Sequence, residues 1–321
     1  MRLLARNRFA LTFGVLFVAI VLACLLAPVY ADDVAHSGPN ANHITATVEV
    51  GGRRVDVVSP TGVPIGPTWT GRFLLGADAN GRDVAVRLLY GGRNSLEIAA
   101  IATLLTMLLA VVFGTLAGYM RGPIDGLLSR LFDVVWAYPA VLLGVALGVA
   151  LAVGGLDLGL FTLHSGSLLI PAFVIGIVFF PYVAKPLRAQ ALSLREREFV
   201  DAARVEGRGP ASIMASEIVP NLASTIVVFV PLIVANAILL EAGLSYLGAG
   251  VQDPNPSWGT MIADGVRLIP GAVHLVLVPG LMLVLTVLSI NVLADGVRDV
   301  LDPRAVGRAS VSAIGDRQGR L

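Results

Sequence analysis

Long apolar runs are the feature of this sequence that most limits its possible folds. Each run is close in length to the about 20 residues that a helix needs to cross the hydrocarbon core of a bilayer. Runs of this length favour helices, because a helix satisfies all of its backbone amides without water. The sequence therefore predicts an all-α membrane protein with six transmembrane helices, at residues 9–30, 97–120, 134–154, 168–184, 222–240 and 272–293.

The overall composition agrees with this prediction. Hydrophobic residues make up 56% of the chain and charged residues only 14%, well outside the range of soluble domains. Prolines fall inside several of the runs, and they predict either helices kinked around a pathway or kinks that only improve packing. These prolines are Pro139, Pro171, Pro181, Pro231 and Pro279.

Lysine and arginine placement predicts the orientation. With a cytoplasmic N-terminus, 16 of the 23 lysine and arginine residues lie in cytoplasmic segments, as the positive-inside rule requires. Both termini and the segment 195–221 are then cytoplasmic. The first apolar run follows Arg2, Arg6 and Arg8 but exceeds the about 7 to 15 apolar residues of a secretion signal, so we expect a retained anchor.

The segment 195–221 is the most charged stretch of the chain, and its spacing predicts two short helices joined by a turn. Leu192, Phe199 and Ala203 recur on one face of the first helix. Gly207 and Gly209 are typical of its C-terminal end.

The second short helix is expected to begin at Pro210, whose missing N–H has no intrahelical partner in a first turn. Ala211, Met214 and Ile218 give it an apolar stripe, and Pro220 with Asn221 is expected to close it. Two interpretations stay open on spacing alone: a hairpin that only caps its own bundle, or a rigid helix offered to a cytoplasmic partner.

Asp201-Ala202-Ala203, Gly207 six residues after the acid and Pro220 thirteen residues later resemble the E-A-A loop of ABC importer permeases. The chain departs from that pattern at two positions. The acid is Asp201 rather than glutamate, and Glu217 occupies a position that is usually hydrophobic.

Further segments resemble the C-type subunit of dipeptide and oligopeptide permeases, in the same order, over roughly residues 70–305. The first is Gly76-Ala-Asp-Ala-Asn-Gly-Arg-Asp83, in which Asp78, Asn80 and Gly81 are turn formers. The others are Trp136-Ala-Tyr-Pro139, Glu241-Ala-Gly-Leu-Ser-Tyr-Leu-Gly-Ala-Gly-Val251, Pro256-Ser-Trp-Gly259, Ala263-Asp-Gly265 and Asp295-Gly-Val-Arg-Asp-Val-Leu-Asp-Pro-Arg304.

This resemblance implies a type I ABC importer permease in a bacterial cytoplasmic membrane, with no cofactor of its own and with peptides as substrates. It implies as partners a second homologous permease, an extracytoplasmic substrate-binding protein, the lipid bilayer, and two ABC ATPase subunits, or one fused ATPase, that bind ATP and magnesium. In the family the E-A-A loop is a coupling helix docked on the ATPase. The positions matched to that contact are Arg195, Arg197, Glu198, Asp201, Ala202, Ala203, Arg204, Glu206, Gly207 and Pro220. Asp201 has a second interpretation, that it stabilises its own helix.

Several chemistries are excluded by the residues themselves. The one lysine, Lys185, precedes Pro186, so the chain lacks the Gly-Lys-Ser/Thr of a phosphate-binding loop and is not itself an ATPase. Cys24 is the single cysteine, which rules out an internal disulfide and any cysteine-based zinc site. No basic cluster interleaved with aromatic residues suggests nucleic acid.

Ionisable residues are almost missing from the runs, which disfavours a carrier driven by protons or sodium. Glu97, Glu241 and His274 are expected at solvated ends of the helices, and Asn236 is a candidate for the substrate pathway or for a bond between helices. Residues 31–75 are expected to form an external loop with a hairpin around Gly51-Gly52, either a surface elaboration or a contact for an external partner.

The expected organisation is an anchor helix at 1–30, the external loop at 31–75, the permease domain at 76–305 with its coupling loop at 185–221, and a cytoplasmic tail at 306–321. Two alternative functions remain at this stage. One is a permease of the same family for nickel or another small solute, and the other is a stand-alone secondary carrier.

Overall fold

The computed structural model describes residues 8–157, 159, 162–164 and 166–301 of the chain. The α-helices are α1 (Arg8–Leu25), α2 (Ala27–Val29), α3 (Val84–Met120), α4 (Gly122–Trp136), α5 (Ala140–Gly154), α6 (Leu169–Leu194), α7 (Glu198–Val205), α8 (Pro210–Ile213), α9 (Val219–Tyr246), α10 (Trp258–Val266) and α11 (His274–Leu301). Short π-helical stretches at Tyr30–Ala35 and Met214–Ile218 follow α2 and α8. Arg2, Arg6, Arg304 and the predicted tail at 306–321 lie outside the described residues.

Within these residues, four helices are long and apolar enough to cross a membrane, or up to six if each of two bent pairs is one span. The four are Val84–Met120, Leu169–Leu194, Pro210–Tyr246 and His274–Gly296. The bent pairs are Phe9–Leu25 with Ala27–Ala35, at 52°, and Gly122–Trp136 with Ala140–Gly154, at 91°. Each predicted run overlaps one of these segments, but the boundaries differ in ways that have local causes.

The prediction of a single helix over residues 134–154 is wrong. α4 ends at Trp136, and Pro139 occupies the N-cap of α5 with an extended ψ of 128°. The ring of a proline disfavours helical conformation at the preceding residue, and the chain turns sharply before α5 begins. Trp136 and Pro139 therefore lie at a bend inside a broken span, rather than at the start of one.

The predicted close of the second short helix at Pro220 and Asn221 is also wrong. Helical backbone runs without interruption from Pro210 to Tyr246. The π-helical stretch Met214–Ile218 lies just before Pro220, and such a wide turn accommodates a residue that cannot donate a backbone hydrogen bond. The segment is one long helix with a local irregularity.

The helix expected at residue 97 already begins at Val84. Asp83 caps it, since its carboxylate accepts bonds from the amides of Ala85 and Val86 at 2.9 and 3.2 Å. The helix predicted at residues 168–184 is longer in the structure: α6 continues to Leu194 and passes through Pro181 and Pro186. The predicted coupling loop 185–221 therefore begins inside a helix.

α3 and α6 pack closely because small residues line their contact. A Cβ atom placed on Gly114 would lie 2.8 Å from the Ala184 carbonyl, and one on Gly118 would lie 2.6 Å from the Ala191 Cβ. Helices in lipid often associate through small residues, because close packing stabilises them and burial of apolar surface adds little free energy there. These two helices form the centre of the buried core.

The predicted external hairpin is present. β1 (Thr47–Val50) pairs antiparallel with β2 (Arg53–Asp56), and Val50 faces Arg53 across the turn. Gly51 and Gly52 both have positive φ, 58° and 78°, as a two-residue hairpin turn of this hand requires. A second pair, β3 (Leu156–Asp157) and β4 (Thr162–Leu163), was not predicted.

Candidate functional site

α7 is a short amphipathic helix between two long ones. Val200 and Ala203 are buried, at 0% and 3% exposure, and they lie one turn apart on the inner face. Leu192, predicted on the same face, belongs instead to α6, because the chain leaves the helical conformation at residues 195–197. Phe199 points partly outward, at 39% exposure.

The end of α7 follows the prediction made for Gly207. This residue has φ +79°, and its amide bonds the Arg204 carbonyl at 3.0 Å while the next amide bonds Ala203 at 3.1 Å. A glycine in the left-handed region, followed by an amide that bonds the carbonyl five residues back, is a common way for a helix to end. Gly209 is then the N-cap of α8, with Pro210 in its first turn.

Tyr119, near the C-terminus of α3, contacts Arg195, which precedes α7, and Arg204, which lies in α7. The guanidinium carbons of Arg195 and Arg204 each lie 5.6 Å from the centroid of its ring. Arg195 also donates to the Tyr119 carbonyl, and Arg204 donates to the Arg195 carbonyl at 3.3 Å. Two predicted contact residues are thus engaged within the chain, where they fix α7 against α3.

Asp201 and Glu217, the two positions that depart from the family pattern, both form ion pairs. Arg204 Nη1 lies 2.7 Å from Asp201 Oδ1, one turn along α7. Arg208 Nη1 lies 2.7 Å from Glu217 Oε1, which ties the turn after α7 to the helix that follows. Glu217 is therefore compatible with a position that is usually hydrophobic.

Three further predicted residues share the outer face of α7. Glu198, Ala202 and Glu206 are exposed at helical spacing, together with Phe199 and with Val205 at 89% exposure. We call this set the α7 outer face. Sequence reasoning missed Phe199 and Val205 as members, although an apolar residue at the end of a charged run is a readable signal. Arg197 is exposed just before α7, and Pro220 is exposed on α9.

Residues 76–83 form a rigid turn that caps α3. Asp78 Oδ1 accepts from the amides of Asn80 and Arg82 at 2.9 and 3.0 Å, and Gly81 has φ +69°. Asp83 is fully buried and accepts from the Phe73 amide at 2.7 Å. Burial raises the pKa of the Asp83 carboxyl, and its three amide donors oppose that shift.

The prediction of a solvated Glu241 is wrong. Its exposure is 0%, and it accepts a bond of 2.7 Å from the Ser245 hydroxyl, one turn further along α9. Ser245 in turn accepts from the Val251 amide at 2.9 Å. Glu241 therefore belongs to the packing that holds the loop after α9, while Glu97 is exposed and His274 half-buried.

One interpretation of Asn236 was a hydrogen bond to another helix. Within the described part of the chain, its side chain bonds its own helix instead. Its amide donates to the Leu232 carbonyl at 2.8 Å, within α9. The side chain lines an open cleft of about 340 Å³ together with Phe179, Tyr182 and Phe229. The structure thus places Asn236 beside a cavity between helices.

The fold is similar to that of a chain of the MetNI methionine ABC transporter in inward-facing conformations, with a TM-score of 0.52 at 16% identity, over 67% of this chain and 96% of that one. Over residues 110–307 the sequence matches the family described as binding-protein-dependent transport system inner membrane component. The chain therefore belongs to this family, and its class is that of ABC importer permeases.

Two relatives show how far the similarity extends. The di/tripeptide transport system permease protein DppC of Pseudomonas aeruginosa is 34% identical over 94% of this chain and 89% of its own length. The dipeptide transport system permease protein DppC of Alkalihalophilus pseudofirmus is 37% identical over 71% of each chain. The resemblance found in the sequence motifs is confirmed over most of the chain.

Proposed function

We propose that this protein is one of two related permease subunits of an ATP-driven importer that carries di- and oligopeptides across the inner membrane. The identity to relatives named for dipeptides and for di- and tripeptides, over up to 94% of the chain, is the observation that supports the substrate class. An extracytoplasmic binding protein delivers the peptide, and two separate ATPase subunits, or one fused subunit, bind ATP and magnesium.

The topology that we propose places both termini and α7 in the cytoplasm. Residues 1–30 are an anchor, 31–75 an external loop, 76–305 the permease domain and 306–321 a tail. The bias of lysine and arginine supports it, with 16 of 23 on the side of α7. The β1–β2 hairpin then lies outside the cell, on the side from which a binding protein approaches.

The α7 outer face is the surface that we propose docks on the ATPase. Val205, at 89% exposure, and Phe199, at 39%, present apolar area at the two ends of this face, and Glu198 and Glu206 add charge to it. Exposed apolar side chains together with polar ones are usual in a protein interface. Contact through Ala202 allows a close approach because its side chain is small.

The coupling that we propose works through the contacts on the opposite side of α7. The contacts of Tyr119 with Arg195 and Arg204 tie the helix to α3. The Arg208–Glu217 pair at 2.7 Å ties the following turn to the helix that leads into α9. Closure of the ATPases on ATP would then move α7 as a rigid body and tilt α3 and α9 with it. This is a population shift toward the outward-open state, driven by the preference of ATP for closed ATPases.

The test uses the complete importer, reconstituted in vesicles with its binding protein and a labelled dipeptide. Val205→Glu places a charge at the most exposed apolar residue of the α7 outer face. We expect it to abolish uptake and peptide-stimulated ATP hydrolysis while the chain still inserts in the membrane. Val55→Glu, at an exposed valine of the hairpin, is the matched control and is expected to be active.

Full uptake by Val205→Glu would contradict the coupling role of α7. Competition by unlabelled dipeptide but not by nickel ions is the result expected for a peptide importer, and the reverse would contradict the substrate class. A cysteine at residue 199 labelled only by an impermeant reagent on the outer surface would contradict the topology, since no ATPase reaches that side.

A further inference from the structure

The cleft beside Asn236 has aromatic walls and opens at the surface between three helices. α5 contributes Val141, α6 contributes Phe179 and Tyr182, and α9 contributes Phe229 and Asn236. Its volume of about 340 Å³ lies in the range of sites that hold small organic ligands. A few polar atoms against aromatic walls are also typical of such sites.

A group of aromatic and charged side chains continues from the wall of this cleft. Trp136 stacks on Tyr182, with ring centroids 4.1 Å apart. Lys185 Nζ lies 4.5 Å from the centroid of Trp136 and 2.8 Å from Asp133 Oδ1. We call these four residues the aromatic–ionic cluster. Tyr182 belongs to both the cluster and the cleft, so the two form one continuous surface.

This surface carries charge where helices that face lipid carry none. The side chain of Asp133 is 68% exposed and that of Lys185 is 35% exposed, on segments apolar enough to cross a membrane. Exposed charges are costly against hydrocarbon, so this surface faces water or a partner rather than lipid. The exposed side chains on the middle of α3 and α11, by contrast, are apolar: Leu104, Leu108, Val112, Leu277, Leu281, Val284 and Leu288. Those two helices have the character of lipid-facing surfaces.

The exposed ion pair is not needed to hold α4 on α6. Arg188 donates to both carboxylate oxygens of Asp125, with Nη2 at 2.7 Å from Oδ2, and those side chains are 31% and 17% exposed. Phe132 packs edge-on against Phe180, with ring centroids 5.7 Å apart. A bidentate pair and a buried aromatic contact already join the two helices.

We propose that the cleft and the aromatic–ionic cluster bind the amino-terminal part of a peptide during its passage through the permease. Asp133, whose side chain is 68% exposed beside Lys185, accepts hydrogen bonds from the peptide ammonium group. The carbonyl and the second amide hydrogen of Asn236 are available to the peptide backbone. This inference rests on the proposed function, and it names the part of the substrate that the permease itself recognises.

The first experiment places a photo-activatable benzoyl-phenylalanine at Leu232, which lines the cleft at 42% exposure, and in a control at Leu108 of α3, at 59%. The permeases and ATPases are held together in lipid nanodiscs without the binding protein, so that a labelled dipeptide reaches the site directly. We expect crosslinks to the peptide from position 232, competed by unlabelled dipeptide, and about tenfold fewer from position 108. Crosslinks from position 232 to lipid or to the second permease alone would overturn the proposal.

The second experiment tests the recognition of the ammonium group. The double variant Asp133→Asn, Lys185→Gln removes both charges without leaving one unpaired. In the wild type a dipeptide with a free amino group should crosslink about tenfold more than its N-acetylated form, and in the variant the two should be equal. Unchanged discrimination with a lower thermal stability would show that the pair is only structural and would overturn the proposal. Uptake by the wild-type importer is measured in parallel, because its absence would contradict the proposed function instead.

Discussion

Replacement of Gly207 by valine tests whether the backbone at the end of α7 must take up a left-handed conformation. The residue has φ +79°, and a Cβ atom added there would have no atom of this chain within 4 Å. The penalty therefore comes from the backbone alone. It amounts to about 1–2 kcal/mol for an ordinary L-residue, and it is higher for a β-branched one. By the usual conversion this is about a 5- to 30-fold change in the ratio of native to non-native helix ends.

The assay compares Gly207→Val with Gly207→Asn, because asparagine enters the left-handed region far more readily. Peptide-stimulated ATP hydrolysis and uptake are measured in vesicles that contain equal amounts of the permease. We expect the asparagine variant to keep most of the activity and the valine variant to keep clearly less, because its ratio of native to non-native helix ends falls about 5- to 30-fold.

Two results would refute this reasoning. Wild-type activity of Gly207→Val would show that the conformation at this residue does not matter for coupling. Equal loss in Gly207→Asn and Gly207→Val would show that the space beside the residue must stay empty for a partner, so that steric exclusion and not strain explains the glycine.

Three further predictions concern stability in detergent, measured by thermal unfolding. Gly118→Ala should destabilise by about 1–3 kcal/mol, because its Cβ would lie 2.6 Å from Ala191; Gly126→Ala, with nothing within 4 Å, is the control, and equal shifts would contradict the close α3–α6 contact. Arg208→Gln should lower the free energy of unfolding by less than about 1 kcal/mol, since its ion pair with Glu217 is partly exposed. A larger decrease would contradict this weak contribution of the pair. Asp83→Ala should lower the free energy of unfolding by about 1–3 kcal/mol, because three backbone amides lose their acceptor. Stability equal to that of the exposed control Asp56→Ala would contradict the capping role of Asp83.

The sequence predicted the features that depend on neighbouring residues. Runs of about 20 apolar residues locate the helices, and Gly51-Gly52 locates a hairpin turn that is present with φ of 58° and 78°. Gly207 was expected to end a helix and does so in the left-handed conformation. These outcomes follow from lipid solvation and backbone sterics, which act over a few residues and are therefore readable along the chain.

The candidate site was predicted less completely, because its contacts join distant parts of the chain. Tyr119 meets Arg195 across 76 residues, and nothing in either local sequence indicates that pairing. Arg195 and Arg204 are predicted to contact the ATPase, and within the chain both also lie against the Tyr119 ring. Val205, which was not assigned, proved to be the most exposed apolar residue of α7.

By itself the sequence determined that the chain is a membrane protein, roughly where its apolar helices lie, and to which family of permeases its motifs belong. Only the tertiary structure decided that α4 and α5 meet at 91°, that helix continues past Pro220, that Glu241 is buried, and that Asp133 and Lys185 join Tyr182 beside an open cleft. The physical reason is that hydropathy and turn chemistry are local sums, while bends, burial and ion pairs depend on which distant helix supplies the next neighbour.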